Sequence, residues 1–421
     1  MKDNLSTYKP KTRFGRWMDE RLPLARFIYN TVVAFPVPRN LNYFYTFGGI
    51  LTLMLISQLL TGIVLAMHYV PDVSLAFETR EQFVRDVPFG YLFQPWHAVG
   101  ASFFFIAAYI HLARGLYYGS HRAPREMVWI MGVFIYITMM ATAFLGYVIV
   151  WGMMSSSAAS VMAGFLKAIP WAGDWLYQFL IGGYGIGQPT LNRFFVLHFI
   201  LPFILIFLVV LHIWAVHKVG QNNPTGLDVV SPKEVMPFTP YATIKDIFAI
   251  TVFLIFFAWF LFYMPDYMGN PDNFIPADTM KTSAHIVPEW YLLPFYAMLR
   301  SINFDLGFIS STLTGVIVLA TSILVLFFVP WLDRGKVRSA RYRPLYRIFF
   351  WLFIADFVFL GWLGSRPIEP VYVLCSQIGT AYYFVFFFII MPFLPRFEKF
   401  TKCPSSIEDD IAQKAKSEGL W

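Results

Sequence analysis

Apolar residues run along this chain in eight long blocks, at about residues 43–69, 88–113, 127–150, 194–217, 246–264, 309–331, 345–363 and 377–395. Each is long enough to cross a hydrocarbon layer as a helix, which takes about 20 residues. An open strand cannot satisfy its backbone in lipid, so every block is expected to be helical. The fold class that follows is all-α: an integral membrane protein with eight transmembrane helices. An even number of crossings puts both termini on one side. Ahead of the first block, Arg16 to Phe35 mixes Arg, Asp and Glu with Leu, Phe, Ile and Val, the pattern of an amphipathic helix lying on the membrane surface. The first apolar run starts near Tyr43 at full spanning length, so no signal peptide is expected.

Composition agrees with the blocks. The 421 residues are 57% hydrophobic and 14% charged, where a soluble protein carries about a quarter charged residues. The net charge of +7 would allow a nucleic-acid partner, but the basic residues lie in short loops between spans, so no nucleic-acid partner is expected. They set the orientation instead. With the N-terminus inside, the inner segments hold 25 of the 32 Lys plus Arg, and the outer loops hold Arg80, Arg85, Lys167, Arg193, Lys281, Arg300 and Arg366. Both termini are therefore expected in the cytoplasm. Cys375 and Cys403 match no metal or disulfide spacing and read as inert thiols.

Two outer loops are long, 151–193 and 265–308, and loops of that length usually carry function. The inner loop from Gly220 to Gly226 reads as a hinge. The expected organisation is an N-terminal segment, 1–42; a four-helix bundle, 43–230; a second four-helix unit, 231–395; and a cytoplasmic tail, 396–421.

The chemistry begins with histidine. His97 and His111 lie fourteen residues apart in the second span, and His198 and His212 fourteen apart in the fourth. Fourteen helical residues rise about 21 Å and turn about 1,400°, roughly 40° short of four full turns, so each pair shares one helix face at two depths. Both spans run from outside to inside. His97 then faces His198 near the outer surface, and His111 faces His212 near the inner one. Two axial imidazoles suit a haem iron in either oxidation state and leave no open position, which favours electron transfer. Haem is also at home among bundle helices. Core histidines paired by hydrogen bonds, or a proton path, are the alternative, and the matched spacing on co-directional helices argues against both. Zinc lacks a carboxylate or thiolate at either level.

Glycines repeat the period: Gly48 and Gly62 in the first span, Gly132 and Gly146 in the third. A haem edge needs close backbone approach, which glycine permits; small-residue helix packing explains single instances equally well, and the shared fourteen-residue period favours haem. Arg114, one turn past His111, suits the inner haem's propionates or, on spacing alone, a positive-inside anchor.

At these residues the chain resembles the cytochrome b family of the respiratory cytochrome bc complexes, bacterial type. The likeness runs from about Phe35 to Pro395 and includes Arg114–Ser120, Thr190–Phe195, Asn223–Gly226, Pro288-Glu-Trp-Tyr291 and Trp331-Leu-Asp333. It implies a subunit of a proton-translocating quinol–cytochrome c reductase with two non-covalent b-type haems, an outer one of low potential on His97 and His198 and an inner one of high potential on His111 and His212. Quinol oxidation at an outer site is implied to send one electron to a Rieske iron–sulfur protein and on to a cytochrome c-type subunit. The other crosses both haems to quinone at an inner site. A homodimer of complexes in a bacterial inner membrane is implied as well, with lipid around it.

The resemblance makes Glu289 the acceptor of a quinol proton, Tyr147 and Tyr296 hydrogen-bonding partners or water guides, and Phe144, Pro288 and Phe295 apolar walls. Without it, Glu289 reads equally as a capping carboxylate and the tyrosines as interfacial belt residues. His217 and Asp246, which opens the fifth span, are placed at the inner quinone site; alone they read as an interfacial histidine and a helix-start aspartate. Two departures stand out. Where the family usually carries Arg three residues before the first ligand, this chain has Gln94, which implies a lower midpoint for the outer haem. The family's Pro-Trp-Gly-Gln is here Val150 to Met153, followed by Ser155-Ser-Ser-Ala158. The rival functions are a di-haem membrane anchor of another quinone-linked oxidoreductase, which would lack the Pro-Glu-Trp-Tyr loop, and a transporter whose histidines relay protons.

Overall fold

The structure, a computed structural model, describes residues 8–418 except 279, 282, 284 and 306. Eight helices are long and apolar enough to span a membrane: α1 Tyr43–Ala66, α2 Gly90–Tyr117, α3 Glu126–Ile149, α4 Gln188–Val219, α5 Phe238–Tyr263, α6 Ser311–Leu332, α7 Pro344–Gly364 and α8 Pro370–Arg396. The expected all-α membrane fold is thus found. The one sheet among the described residues is a two-stranded antiparallel ribbon, β1 Pro36–Pro38 on β2 Val235–Pro237.

Several helices begin earlier than hydropathy places them. α4 starts at Gln188 with Pro189 in its first turn, and the Thr190 hydroxyl, 3.2 Å from Gly187 N, accepts that otherwise unpaired amide. α5 starts at Phe238, so Asp246 lies two turns inside it rather than at its start. α8 starts at Pro370, which places Cys375 inside the helix. In each case a proline or a polar turn nucleates helix outside the apolar stretch, where a hydropathy window sees nothing. The amphipathic N-terminal segment is helical over Arg13–Arg21 and Leu24–Ile28, with Phe14, Trp17, Phe27 and Ile28 exposed.

α1 packs on α2, and α3 on α4. Phe103 of α2 makes edge contacts with Phe253, Phe257 and Phe260 of α5, which carries the core from the first four helices to the last four. Outside this core the helices are apolar but bare: Phe207 and Trp214 on α4 and Ile255 and Phe262 on α5 are all exposed. Such surface belongs against lipid. Lipid gives helices little hydrophobic reason to associate, so packing and interhelical hydrogen bonds hold them, at about 0.6 kcal/mol per bond on average. Trp129 Nε1 donates to Leu326 O at 2.7 Å, Tyr383 Oη to Ser322 O at 2.7 Å and Tyr382 Oη to Phe349 O at 2.8 Å.

The face carrying the chain ends is fastened by buried charge. Asp333 accepts from Arg343 Nη1 at 2.9 and 3.1 Å and lies 3.2 Å from His121 Nε2. Arg343 also reaches Glu398, Nε to Oε2, at 3.3 Å. Burial alone would push the Asp333 carboxyl up, but the His121 hydrogen bond and the guanidiniums of Arg343 and Arg122 hold it below the usual carboxylate range. The segment expected as a hinge is instead pinned. Asn222, Asn223 and Thr225 are buried. Asn222 Nδ2 donates to Tyr118 O at 3.0 Å, and Asn223 bonds both Thr225 and Leu227. Gly226 has a φ of +72°, and a Cβ there would lie 2.9 Å from Arg338 Cβ, so the turn admits only glycine. The tail forms a helix, Ile407–Ser417, whose first amide donates to Glu234 and whose Asp410 accepts from Asn40 and Arg341.

Candidate haem centres and quinone sites

The four histidines meet in two pairs. The rings of His97 and His198 are 6.3 Å apart between centroids, and those of His111 and His212 are 6.4 Å apart. A metal with an imidazole nitrogen about 2 Å away on each side, each ring centre about 1.15 Å behind its nitrogen, requires about 6.3 Å. Both gaps therefore fit an iron with two axial imidazoles.

In the first pair the ring orientations fit too. The Thr61 hydroxyl donates to Ser57 O at 2.8 Å and lies 2.8 Å from His97 Nδ1, so it accepts the Nδ1 proton and leaves Nε2 free. Thr142 O, 2.8 Å from His198 Nδ1, does the same for the partner ring. A hydrogen-bonded distal nitrogen is the usual way a ligating histidine is fixed. Neither threonine was picked out from the sequence. Each acts across a helix interface, and the only trace is that Thr61 precedes Gly62.

All four glycines face these rings. A Cβ on Gly146 would lie 2.4 Å from His198 Cε1; on Gly62, 3.1 Å from His97 Cε1; on Gly132, 3.5 Å from His212 Cε1; and on Gly48, 3.8 Å from His111 Cε1. Arg114 Nη2 lies 3.0 Å from His111 Nδ1, and its Nε is buried without a partner. That is a cation with bonding capacity left over beside the second pair. No cluster of three or more His, Cys, Asp or Glu suited to a bare metal ion occurs among the described residues.

Away from the termini face, a cavity of about 780 Å³ is lined by Gly62, His97, Gly146 and His198 and also by Tyr147, Pro288 and Glu289. This is a size that takes a small organic ligand. Glu289 leads into the short turn Trp290–Leu292. Both of its carboxyl oxygens are shielded from solvent and neither has a hydrogen-bond partner. Burial pushes its pKa up to about 8. The turn is held from α2, where Trp290 Nε1 donates to Ser102 Oγ at 3.0 Å, the Tyr109 hydroxyl donates to Tyr291 O, and Phe105 stacks on Tyr291 at 3.9 Å.

Phe144, Phe295 and Tyr296 stand behind this cavity rather than among its lining residues. Phe144 packs on Phe194, and Phe295 is buried against Phe357. The Tyr296 hydroxyl donates to Ile286 O at 3.2 Å, with Arg300 over its ring. Phe274 and Met268 line the cavity instead. The Ser-rich stretch after Val150 is a helix, Met153–Gly164, with Ser155, Ser156 and Ser157 buried. Its start is strapped to the other long loop: Met153 N donates to Ile275 O at 2.8 Å and Ser155 N to Asn273 Oδ1 at 3.0 Å.

Towards the termini face, His217 Nδ1 lies 2.8 Å from Ile213 O and Nε2 3.1 Å from Thr31 O, with its ring 4.0 Å from that of Phe35. Asp246 lies against Gly49, next to the Gly48 that faces His111. His217 and Asp246 make no hydrogen bond to each other, and Thr31 was not foreseen.

The fold and these sites define a polytopic membrane protein with two stacked imidazole pairs and a ligand-sized cavity beside one of them. Two family models match the chain: "Cytochrome b/b6/petB" over residues 32–220 and "Cytochrome b(C-terminal)/b6/petD" over 276–384. The "Cytochrome b/c1" of Bradyrhizobium diazoefficiens is 51% identical over 97% of this chain, which spans 58% of that relative's length. The cytochrome b of Rickettsia bellii is 48% identical over 97% of this chain and all of the relative. A solved structure titled "Hyperthermophilic respiratory Complex III" superposes with a TM-score of 0.83 at 34% identity, covering 91% of this chain and 99% of that one. The chain belongs to the cytochrome b family and acts as the haem-binding, electron-transferring cytochrome b subunit of a respiratory bc complex.

Proposed function

We propose that the chain is the membrane core of a quinol–cytochrome c oxidoreductase, holding one b-type haem on His97 and His198 and a second on His111 and His212. The observation that carries the reading is the single cavity that joins the His97–His198 pair to the unpaired carboxyl of Glu289. His97, His198, His111 and His212 would hold the two haems, which when bound would supply one-electron transfer chemistry. Thr61 and Thr142 fix the tautomers of the first pair. Gly48, Gly62, Gly132 and Gly146 leave room for ring edges, and Arg114 offsets the carboxylates of the inner group.

At the outer end Glu289 takes a proton from quinol. Its raised pKa lets it hold that proton near neutrality and give it up on moving towards water. Tyr147 and Pro288 line the quinol's place, with Phe144, Phe295 and Tyr296 supporting its walls. At the inner end His217 and Asp246 bind quinone and deliver protons. Residues 1–42 form the surface segment, 43–230 the haem-bearing bundle, 231–395 the half that supplies the Pro-Glu-Trp-Tyr turn, and 396–421 the tail.

The distribution of Lys and Arg supports both termini being cytoplasmic, and the bacterial relatives support a cell inner membrane. The partners are a Rieske iron–sulfur protein, a cytochrome c-type subunit, quinone, membrane lipid and a second copy of the complex. Purified complex tests the reading: b-type absorbance in two titrating components and quinol-driven reduction of cytochrome c are expected. Absence of b-type bands would refute it. Bands without cytochrome c reduction would leave a haem-bearing anchor of another oxidoreductase.

A further inference from the structure

The outer centre has no arginine on α2. Position 94, one turn before His97, is Gln, and Gln94 lines the cavity. A haem brings two carboxylates, and burying them without a cation is costly. Among the described residues lining this cavity there is a single Lys or Arg, and it is Arg80.

Arg80 lies on a helix absent from the eight spans, Ala76–Asp86. This helix packs tightly against the start of α2: a Cβ on Gly90 would lie 1.8 Å from Phe83 O. Arg80 and Phe83 share one face of it, three residues apart, and both border the cavity. The Arg80 side chain is 11% exposed. Its guanidinium lies over the Phe77 and Phe274 rings, 5.5 Å from each centroid. Nη2 meets Glu81 Oε1 at 3.0 Å, Nη1 reaches Asn273 O only at 3.5 Å, and Nε is buried with no partner. The carboxylates around it are Glu81, more exposed at 29%, and Asp266. A largely buried guanidinium with an unpaired N–H, on a residue lining the cavity that also holds the His97–His198 pair, is suited to receive a carboxylate.

We propose that Arg80 is the propionate-binding cation of the outer haem, so that the charge missing at Gln94 is supplied from the Ala76–Asp86 helix. The proposal rests on the haem reading above. It also revises what Gln94 implies: the outer midpoint is held up by a cation from another element. Arg80 acts by positioning and neutralising the group, and a positive charge there favours the reduced iron.

Redox titration of the purified complex tests this, followed in the b-type bands with the inner haem as internal control. In Arg80→Gln the outer midpoint falls by at least 59 mV, a tenfold change in a one-electron equilibrium, while the inner midpoint stays. Arg80→Lys keeps most of it, and Arg80→Gln with Gln94→Arg restores it. Glu81→Gln separates charge from structure. If Arg80 merely ties Glu81, Glu81→Gln lowers the midpoint as Arg80→Gln does; on the proposal it leaves the midpoint unchanged or raises it. An unmoved outer midpoint in Arg80→Gln, or a fall in Glu81→Gln, overturns the assignment. Where Arg80→Gln fails to assemble, recovery of outer-haem bands and midpoint in the Gln94→Arg double variant supports it, and failure of that double variant overturns it. Absence of two b-type components in the unaltered complex would instead sink the haem reading itself.

Discussion

Replacing Gly146 by alanine places a methyl 2.4 Å from His198 Cε1, 2.8 Å from Nδ1 and 3.0 Å from Nε2. Carbon atoms rest at about 3.5–4.0 Å, so the ring must retreat by about 1 Å or more. The helix itself gains: alanine is favoured over glycine in a helix interior by about 0.8–1.0 kcal/mol. Overpacking costs about 1–3 kcal/mol, so the net cost to the fold is about 0–2 kcal/mol and the strain falls on the ligand. The outer haem should be lost or shifted in potential while the bundle stays folded. The other three glycines form a graded control, with the same methyl at 3.1 Å for Gly62, 3.5 Å for Gly132 and 3.8 Å for Gly48. The expected order of damage is Gly146, Gly62, Gly132, Gly48. Reduced-minus-oxidised spectra of the purified variants, with redox titration to separate the two centres, give occupancy and midpoint for each. The reasoning fails if Gly146→Ala keeps a full outer haem at an unchanged midpoint, or if Gly48→Ala strips the inner centre as readily as Gly146→Ala strips the outer.

If ionised Glu289 accepts the quinol proton as proposed, quinol oxidation should accelerate as pH rises through about 8, to which burial pushes its pKa; in Glu289→Gln that limb should vanish, and an identical pH–rate profile in the two proteins would remove Glu289 from the chemistry. Asp333→Asn leaves Arg343 buried and underpaired, so a loss of about 3–5 kcal/mol is expected, read as a lower midpoint of thermal unfolding. Because its folded pKa is depressed, the Asp333 contribution is complete at neutral pH and disappears only as pH falls towards that depressed value; the gap between variant and parent should therefore close in acid. Thr61→Val removes the acceptor that orients His97, and a 10–100-fold weakening of outer-haem retention is expected, the usual scale for such an outer hydrogen bond. Equal retention by Thr61→Val and parent would show that His97 is oriented by packing alone.

The histidine pairs and the glycines facing them were legible in the chain because a straight helix turns a fixed angle per residue. A fourteen-residue interval on two helices of like direction therefore determines which rings meet. The spans were legible for a similar reason, though their ends were not. Asp246 seemed to open α5 because hydropathy does not register Phe238 to Lys245 as helix. What the sequence hid are contacts between elements far apart in the chain. Thr61 on His97, Ser102 on Trp290, Tyr109 on Tyr291 and Arg80 at the cavity all depend on how helices pack, and no local period announces them. The supposed hinge at Gly220 to Gly226 misled because glycine and asparagine signal a turn equally well whether it swings or is locked by neighbours such as Arg338.

The helix Ile407–Ser417 works as a clasp between the two halves of the chain. Its Asp410 is bound by Asn40 and Arg341, and its first amide by Glu234. Three segments far apart in the chain, around residues 40, 234 and 341, are thus joined by one short helix. Unfolding of that helix alone would strip Glu234 and Asn40 of partners and loosen both halves of the chain at this face at once, so the two halves are expected to share one unfolding transition there.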